Sequence, residues 1–548
     1  MYILGISAYY HDSAAALIKD GTVIAAAQEE RFTREKNDSS FPRHACLYCL
    51  DFANITIFDI SYIVFYDKPF LKFERLIESY YRHAPKGLKS FLTSMPVWLK
   101  DKFHLKRVIK KELKKLFAFD SKPTFELLFS EHHLSHAASA YYVSPFSSAT
   151  ILTIDGVGEW ATTSIFKGEG GNITLLKELH YPDSLGLLYS SFTYFLGFKV
   201  NSGEYKMMGL APYGDKDAKE TQRYISLIVD NIVKIYPDGG IHLNEAYFSY
   251  SYDLKMIREK KWEKLFGISR RYPDTRICQH HCNLAYAIQY ITEEIVLKLA
   301  GEAKRITQEA NLCLAGGVAL NCVANGRLLN ENIFENIYIQ PAAGDAGGAI
   351  GAALTAYYLL TQSKKLSSDG MHGAFLGPSY ADDEVKSAIE KCNYEYKYYT
   401  NFDELTGHIA DFLQQGKIVG YFQDRMEFGP RALGNRSILA DPRFSDIHQF
   451  INQKVKLRET FRPFAPAVLE EDCSEYFNLK VKSPYMLFVS SLNEKHIKKP
   501  DSSYRKKGIQ EKLSTVRSDL NSITHVDFSA RVQTVNKEFN PKFYRLLL

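Results

Sequence analysis

The chain has 548 residues, 45% hydrophobic and 24% charged, which is enough for two to four domains with proper cores and excludes wholesale disorder. Its net charge of +5 is small for that length, so no dedicated nucleic-acid binder is expected, and basic character has to be sought in local patches. The opening MYILGISAYY has no basic residues ahead of an apolar core, and no run approaches a membrane span, so a cytoplasmic protein without a signal peptide is expected.

Residues 2–8, 13–19 and 23–28 read as three strands, with Asp20-Gly21 as a hairpin turn. The first turn carries His11 and Asp12 at its tip, either as an ordinary hairpin or as a backbone loop that approaches phosphate. Cys46 and Cys49 form a C-x-x-C with no partner pair at zinc spacing, and the eight scattered cysteines read as free thiols in a reducing compartment. Residues 66–118 form a Lys-rich helical stretch ending in LKRVIKKELKKLF. Its apolar positions recur at helical spacing, so a solvated amphipathic helix comes first and a membrane-surface or acidic-partner contact second.

Residues 131–160, EHHLSHAASAYYVSPFSSATILTIDGVGEW, carry the strongest chemical signal. His132 and His136 lie four apart on one helical face and can share a metal or a phosphate. The apolar run ILTI then delivers Asp155 into a Gly turn, and two imidazoles with a carboxylate suit a borderline or hard divalent metal. Residues 149–179 repeat the plan of residues 2–28, three strands with an Asp at the first tip. Two such lobes facing across a cleft are the plan of actin, sugar kinases and Hsp70 ATPases.

The segment GEYKMMGLAPYG, residues 203–214, reads as a glycine-rich loop that turns a corner or brings backbone to a ligand. Cys278-Gln-His-His-Cys282 looks like a metal box, yet it opens a long helical pattern, and packing is the preferred reading. Residues 311–322 read as strand, Gly316-Gly317 turn and helix, an arrangement that favours anions or nucleotides. A second case follows in PAAGDAGGAIG, a loop opening a small-residue helix with Asp345 at its tip. Ser, Gly and Lys accumulate over residues 361–380, as in a linker. Beyond it lies an arginine-rich run at 424–436, followed by Lys454, Lys456, Arg458, Arg462 and Arg531. Arginine among Gly, Pro and Phe points to phosphate or carboxylate recognition.

In order, HDSAA, EHHLSHAASAYY, GEYKMMGLAPYG, LAGGVALNC, QPAAGDAGGAIGAAL, FGPRALGNRSILADP, FRPFAPAVL and THVDFSARVQTV resemble the O-carbamoyltransferases of the NodU/CmcH type, which modify antibiotics and nodulation factors. The resemblance covers nearly the whole chain. It implies an α/β protein with an actin-like (ASKHA) two-lobed domain at residues 1–365, a linker at 366–380 and a YrdC-like α/β domain at 381–548. The second domain would form carbamoyl-adenylate from carbamoyl phosphate and ATP. The first would pass the carbamoyl group to a hydroxyl of a small-molecule or glycan acceptor, a natural product or sugar, releasing AMP. A homodimer is compatible with this reading, and no nucleic acid is expected.

Carried onto this sequence, the resemblance makes His132, His136 and Asp345 ligands of a divalent metal, iron in relatives, with Asp155 beside them and Mg accompanying ATP. His11 or Asp12 would take the hydroxyl proton. The nucleotide would lie against Gly203, Glu204, Lys206, Gly209, Gly316, Gly317, Asn321, Gly344 and Gly347. Carbamoyl phosphate would be held by Arg431, Lys456, Arg462, Ser529 and Arg531. Adenylation gives a poor electrophile a good leaving group, a cation near the phosphate stabilises departing AMP, and an alcohol nucleophile at neutral pH needs a positioned base. Family members usually continue past the position of Leu548 with a TGxPxLLNTSFN-like segment, whereas this chain stops at PKFYRLLL, so its second domain is expected to be short at the C-terminus. The alternative is a tRNA threonylcarbamoyl-transfer-like enzyme or an ATP-dependent kinase on the same actin-like core.

Overall fold

The computed structural model describes residues 1–97, 104–118, 124–501 and 503–548. Short apolar runs broken by polar turns set its first sheet. β1 (Tyr2–Ser7), β2 (Ala14–Lys19) and β3 (Thr22–Gln28) form an antiparallel meander, with Leu4 opposite Leu17 and Ala16 opposite Ala26. β4 (Ile60–Phe65) joins β1 in parallel, and β5 (Glu126–Phe129) joins β4, giving the order β3-β2-β1-β4-β5. Between β4 and β5 the chain runs out through α1 (Pro69–His83), α2 (Leu88–Val97) and α3 (Leu105–Phe117). The part of the Lys-rich stretch at 98–103 lies outside the described residues.

The second sheet repeats the first. After α4 (His132–Tyr141) come β6 (Ser148–Ile154), β7 (Ala161–Glu169) and β8 (Asn172–His180), again an antiparallel meander. α5 (Leu185–Phe195), α6 (Glu204–Leu210), the small hairpin β9 (Val233–Ile235) and β10 (Ile241–Leu243), and the long α7 (Gln279–Thr307) follow. β11 (Asn311–Ala315) then pairs in parallel with β6, α8 (Cys322–Asn330) crosses over, and β12 (Asn336–Ile339) completes the order β12-β11-β6-β7-β8. Three antiparallel strands followed by two parallel ones, twice over, is the duplicated plan of an actin-like fold, as the repeated sequence pattern predicts.

The closing helix α9 (Asp345–Thr361) carries DAGGAIGAAL, and its small residues let it lie directly on its neighbours. A Cβ on Gly5 of β1 would overlap the Ala349 carbonyl oxygen, one on Gly351 would overlap the Ser135 carbonyl oxygen of α4, and one on Gly348 would strike the Tyr66 ring. Backbone thus rests on backbone, and no larger residue fits.

One sequence expectation is corrected. Residues 203–214 are not an open glycine loop: residues 204–210 form α6, and 211–213 form a 3-10 turn that admits Pro212 in its first turn. Glu204 makes the difference. Its carboxylate accepts the N–H groups of Asn201 (3.0 Å) and Gly203 (3.1 Å), which caps the helix from within. No helix among the described residues is long and apolar enough to cross a membrane.

The chain divides into two compact units, Met1–Gly370 and Met371–Leu548. The second unit holds three two-stranded sheets. β13 (Val419–Phe422) pairs with β14 (Arg436–Leu439), β15 (Ala467–Leu469) with β18 (Gln533–Val535), and β16 (Val489–Ser491) with β17 (Ser529–Arg531). Residues 371–378 pack into this unit, since Met371, Ala374 and Leu376 are buried and Gly377 N–H donates to Met426.

Two glycine substitutions test this packing in opposite directions. Gly351→Ala should cost about 1–3 kcal/mol by overpacking, lowering the melting temperature. Gly301→Ala, at an exposed α7 position with open space around it, should stabilise by about 0.5–1 kcal/mol. Thermal melts that move the same way for both would refute the close-packing account.

Candidate functional site

α4 starts where β5 ends, and an external carboxylate caps it. Glu159, itself buried, accepts the His132 N–H on both oxygens (3.1 Å each) and the Lys68 N–H (2.7 Å). The HHLSH sequence then sends its histidines two ways. His133 points at the second sheet, where Nδ1 meets the hydroxyls of Thr153 (2.9 Å) and Ser164 (2.8 Å). Burial, then His132, hold its pKa well below the usual histidine value, so it stays neutral. His132 and His136 share the other face, with their Nε2 atoms 3.1 Å apart.

Asp155, at the end of β6, and Asp345, at the first turn of α9, complete the group. His132 Nε2 lies 3.0 Å from Asp155 Oδ2 and 3.8 Å from Asp345 Oδ1; His136 Nε2 lies 3.8 and 3.7 Å from the same atoms. One donor atom from each of the four residues falls within 4.8 Å of the others. Donors about 2.1 Å from one ion stand roughly 3 Å apart when adjacent, so this spacing and the His₂Asp₂ donor set fit a divalent metal. The two carboxylates draw positive charge to the site as well. Burial opposes charge on His136, but Asp155 and Asp345 overcome it and drive its pKa up to about 9. Burial likewise opposes both carboxylates. Bonds from His132 and His136 still hold Asp155 well below its usual range, and His11 and His136 do the same for Asp345. The outer Nδ1 atoms of His132 and His136 are buried with no hydrogen-bond partner among the described residues, so these rings are oriented by packing and by their Nε2 contacts within the cluster.

His11 reaches the same cluster from the β1–β2 turn. That turn is tight, with Tyr9 at φ 71° and Asp12 at φ 53°. Asp12 Oδ2 holds His11 Nδ1 at 2.8 Å and takes the Asn37 amide on Oδ1 at 2.8 Å, leaving His11 Nε2 3.7 Å from Asp345. Burial lowers the His11 pKa, but Asp345 and Asp12 together raise it to about 9.

Of the residues assigned to the nucleotide, four surround the two aspartates. Gly316, at φ 88°, donates its N–H to Ala343 (2.9 Å), and the Gly317 N–H binds Asp155 Oδ1 (2.9 Å). Gly344 is the N-cap of α9, and the Gly347 N–H returns to its carbonyl (3.1 Å). The others lie elsewhere in the same unit. Asn321 caps α8 through the Ala324 N–H and exchanges amide bonds with Gln289. Glu204 also takes the Ser190 hydroxyl (2.8 Å), and Gly203 abuts Phe198 and Lys199. Lys206 and Gly209 are half-buried on α6.

Four further residues border the site that sequence reasoning did not single out. The Tyr66 hydroxyl donates to Asp345 (3.3 Å). Lys72 pairs with Asp67 (2.6 Å) over the Tyr66 ring, Arg75 donates to the Gly158 carbonyl (2.6 Å), and Glu159 caps α4. Burial opposes the Lys72 charge, yet Asp67, Glu159 and Asp345 more than restore it. The available signal was the end of β4, a parallel strand followed at once by a Pro-started helix, where α/β folds place ligands.

In the second unit, the arginine-rich run folds around one buried carboxylate. Glu427 Oε1 accepts N–H bonds from Leu433 (2.7 Å), Asn435 (2.9 Å) and Arg436 (3.2 Å). The Gln533 amide donates to the Leu433 carbonyl (2.7 Å), tying the loop that bears Arg431 to the start of β18. β15 and β18 are parallel, with Ala467 opposite Gln533, so the segments that enter them, bearing Arg462 and Arg531, lie at the same end. Ser529 donates its hydroxyl to Asp527 (2.6 Å), and Lys456 is exposed after the turn at Ile451–Val455.

All eight cysteines are free, with Cys46 and Cys49 in the core. Cys278, His280 and His281 gather at the start of α7, but His281 Nδ1 accepts the Cys278 N–H (3.0 Å) and so serves as a helix cap. Burial and His280 lower its pKa to about 4, which keeps that acceptor free of a proton.

Comparison with known proteins agrees over most of the length. Residues 2–354 match the family model "Carbamoyltransferase N-terminus", and residues 410–548 match "Carbamoyltransferase C-terminus". An uncharacterized protein of Synechocystis sp. is 52% identical over 552 residues, covering 100% of this chain and 88% of its own. Nodulation protein NolNO of Sinorhizobium fredii is 34% identical, covering 98% of this chain and 72% of its own. The 3'-hydroxymethylcephem-O-carbamoyltransferase of Streptomyces clavuligerus is 30% identical over 270 residues, covering 48% and 44%.

The metal reading has a direct check. His132→Ala should strip most of the bound divalent metal from the purified protein while leaving its melting profile cooperative. Elemental analysis that finds as much metal as in the wild type would remove His132 from the ligand set.

Proposed function

The chain belongs to the carbamoyltransferase family and is a transferase; from that premise we propose that it is an ATP-dependent O-carbamoyltransferase working through carbamoyl-adenylate. The observation that carries this reading is the approach of His11 Nε2 to within 3.7 Å of Asp345, at the edge of the four-residue cluster, with its other nitrogen held by Asp12. A hydroxyl acceptor needs a base at that edge, and a transferred carbamoyl group needs a positive environment for the departing AMP.

Iron held by His132, His136, Asp155 and Asp345 would supply that positive charge beside the leaving phosphate, with Mg accompanying ATP. The chain's own groups do the remainder. Gly316, Gly317, Gly344 and Gly347 bring backbone close to the nucleotide. Asp12 fixes the His11 ring through Nδ1, so that Nε2 is the atom that faces the acceptor hydroxyl. While Asp345 is uncompensated, His11 is held protonated and cannot act as a base; once the Asp345 charge is matched, its main cause of elevation disappears and Nε2 can accept the hydroxyl proton. Carbamoyl phosphate and ATP would react in the C-terminal, YrdC-like unit, where Arg431, Arg462 and Arg531 would hold the phosphate. Lys456 and Ser529 would add the remaining donors. AMP release dependent on carbamoyl phosphate and a hydroxylated acceptor tests the whole reading; ADP release would favour a kinase.

Two variants separate the half-reactions. Arg431→Ala should abolish carbamoyl-adenylate formation yet still transfer from carbamoyl-adenylate supplied directly, and equal failure with the supplied intermediate would refute two distinct sites. His11→Ala should leave adenylate synthesis near wild type and slow transfer about 10²–10⁴-fold, the usual contribution of a general base. Asp12→Asn should slow transfer less, because it removes only the orienting carboxylate. Loss confined to Asp12→Asn would move the base role to Asp12.

A further inference from the structure

Charge is spread unevenly along this chain. Between residues 66 and 118 fourteen Lys and Arg face five Asp and Glu, a net +9, whereas the whole chain is +5, so the remainder is net −4. The segment is an insertion between β4 and β5, and α3 concentrates its charge. The apolar stripe of α3, Leu105, Ile109 and Leu113, is at most 5% exposed, and Arg43 clasps Glu112 (Nε at 3.1 Å) from outside the insertion. The helix therefore lies apolar side down on the protein. Lys106, Arg107, Lys110, Lys111, Lys114 and Lys115 all stand in solvent, and only Lys115 has a carboxylate partner among the described residues, Glu112 at 3.4 Å.

The α1–α2 hairpin, earlier in the same insertion, supplies a second feature. Its inner side is closed by Tyr80, whose hydroxyl meets Ser90 (2.7 Å) and whose ring packs edge-on against Phe91. Its outer side leaves Tyr81, Leu88 and Leu92 84%, 63% and 63% exposed. Leu88 and Leu92 are four residues apart, on one face of α2.

We propose that this insertion docks the protein onto an anionic lipid surface, with α3 as the electrostatic face and Tyr81, Leu88 and Leu92 as the apolar contact. Five of the six exposed cations on α3 are lysines. Lysine is a point charge suited to a plane of headgroups, whereas phosphate reading on nucleic acid favours the arginine fork. Exposed leucines gain at the boundary between headgroups and acyl chains and gain nothing on a duplex.

Co-sedimentation of the full chain with vesicles tests the proposal. The protein should pellet with phosphatidylcholine–phosphatidylserine vesicles at about 0.1 M salt, stay in solution with phosphatidylcholine alone, and be released near 1 M salt, where screening is almost complete. The triple variant Lys106→Glu, Lys110→Glu, Lys114→Glu should lower the bound fraction at least about tenfold, and Leu88→Ser with Leu92→Ser should lower it while leaving the salt dependence. Wild type that stays in solution with anionic vesicles overturns the proposal, and the salt arm reads this on the unmodified chain. Binding indifferent to salt, or retained by the triple variant, overturns it equally. Retardation of a DNA or RNA duplex without vesicle binding would assign the surface to nucleic acid instead.

Discussion

Backbone-to-backbone contact between α9 and its two neighbours is the constraint on which the site depends. Gly5 on β1 and Gly351 on α9 leave no room for a Cβ, so α9, β1 and α4 are locked at their closest approach. Asp345 begins α9, His11 follows β1, and His132 and His136 lie on α4. Three elements from distant parts of the sequence therefore bring these donor atoms together, without any of those donors having to hold the fold together. Site geometry here is inherited from packing. The buried Nδ1 atoms of His132 and His136 have no acceptor among the described residues, so on that side the rings rest on packing.

The electrostatics follow from that crowding. Two carboxylates brought together in a buried place cannot both ionise without compensation. Protons on His136 and His11 can supply it, since the pKa of each is held up to about 9 against its own burial. A divalent cation held there would offer the same charge in a smaller volume, and its uptake would release protons. The linkage reaches His11 because it shares Asp345 with the cluster, and the charge state of one carboxylate thereby decides whether the nearest imidazole carries a proton. Tyr66 and Lys72, on the other side of Asp345, keep a hydrogen-bond donor and a positive charge in place whatever the state of the histidines.

What the sequence shows of this depends on whether the signal is local. The strands, the Asp-Gly turns and the repetition of a three-strand meander have short periods, and the i, i+4 spacing of His132 and His136 is itself a distance. Those features could be read from residues alone. The helix at 204–210 could not, because two glycines and a proline mask a Glu204 that caps its own helix. His133 differs from its neighbours only by facing Thr153 and Ser164, which needs the second sheet to be placed. Lys72, Arg75 and Glu159 were hidden for the same reason, since their partners lie far along the chain or on the strand that precedes them. The glycines of α9 carried a nucleotide signal in sequence, whereas Gly348 and Gly351 are needed first for contact with Tyr66 and Ser135.

The second unit applies the opposite logic to an anion. Glycine-rich loops often bind phosphate with their own N–H groups, and FGPRALGNRS resembles one. Here those donors are already spent: Leu433, Asn435 and Arg436 give theirs to Glu427, and Gly434, at φ 111° against the Phe543 ring, gives its own to the Ser437 hydroxyl. A second buried network, in which Gln423 joins Asn435 to Asn540, holds the same loop from behind. These four N–H groups are committed within the loop, so an anion there would have to be met by side chains or by the remaining backbone. A guanidinium fork offers a directionality that a lysine lacks. The segments bearing Arg462 and Arg531 enter β15 and β18 from the same end because those strands run parallel, and the Gln533–Leu433 bond ties the loop bearing Arg431 to β18, so this arrangement is topological and not a feature of any single motif.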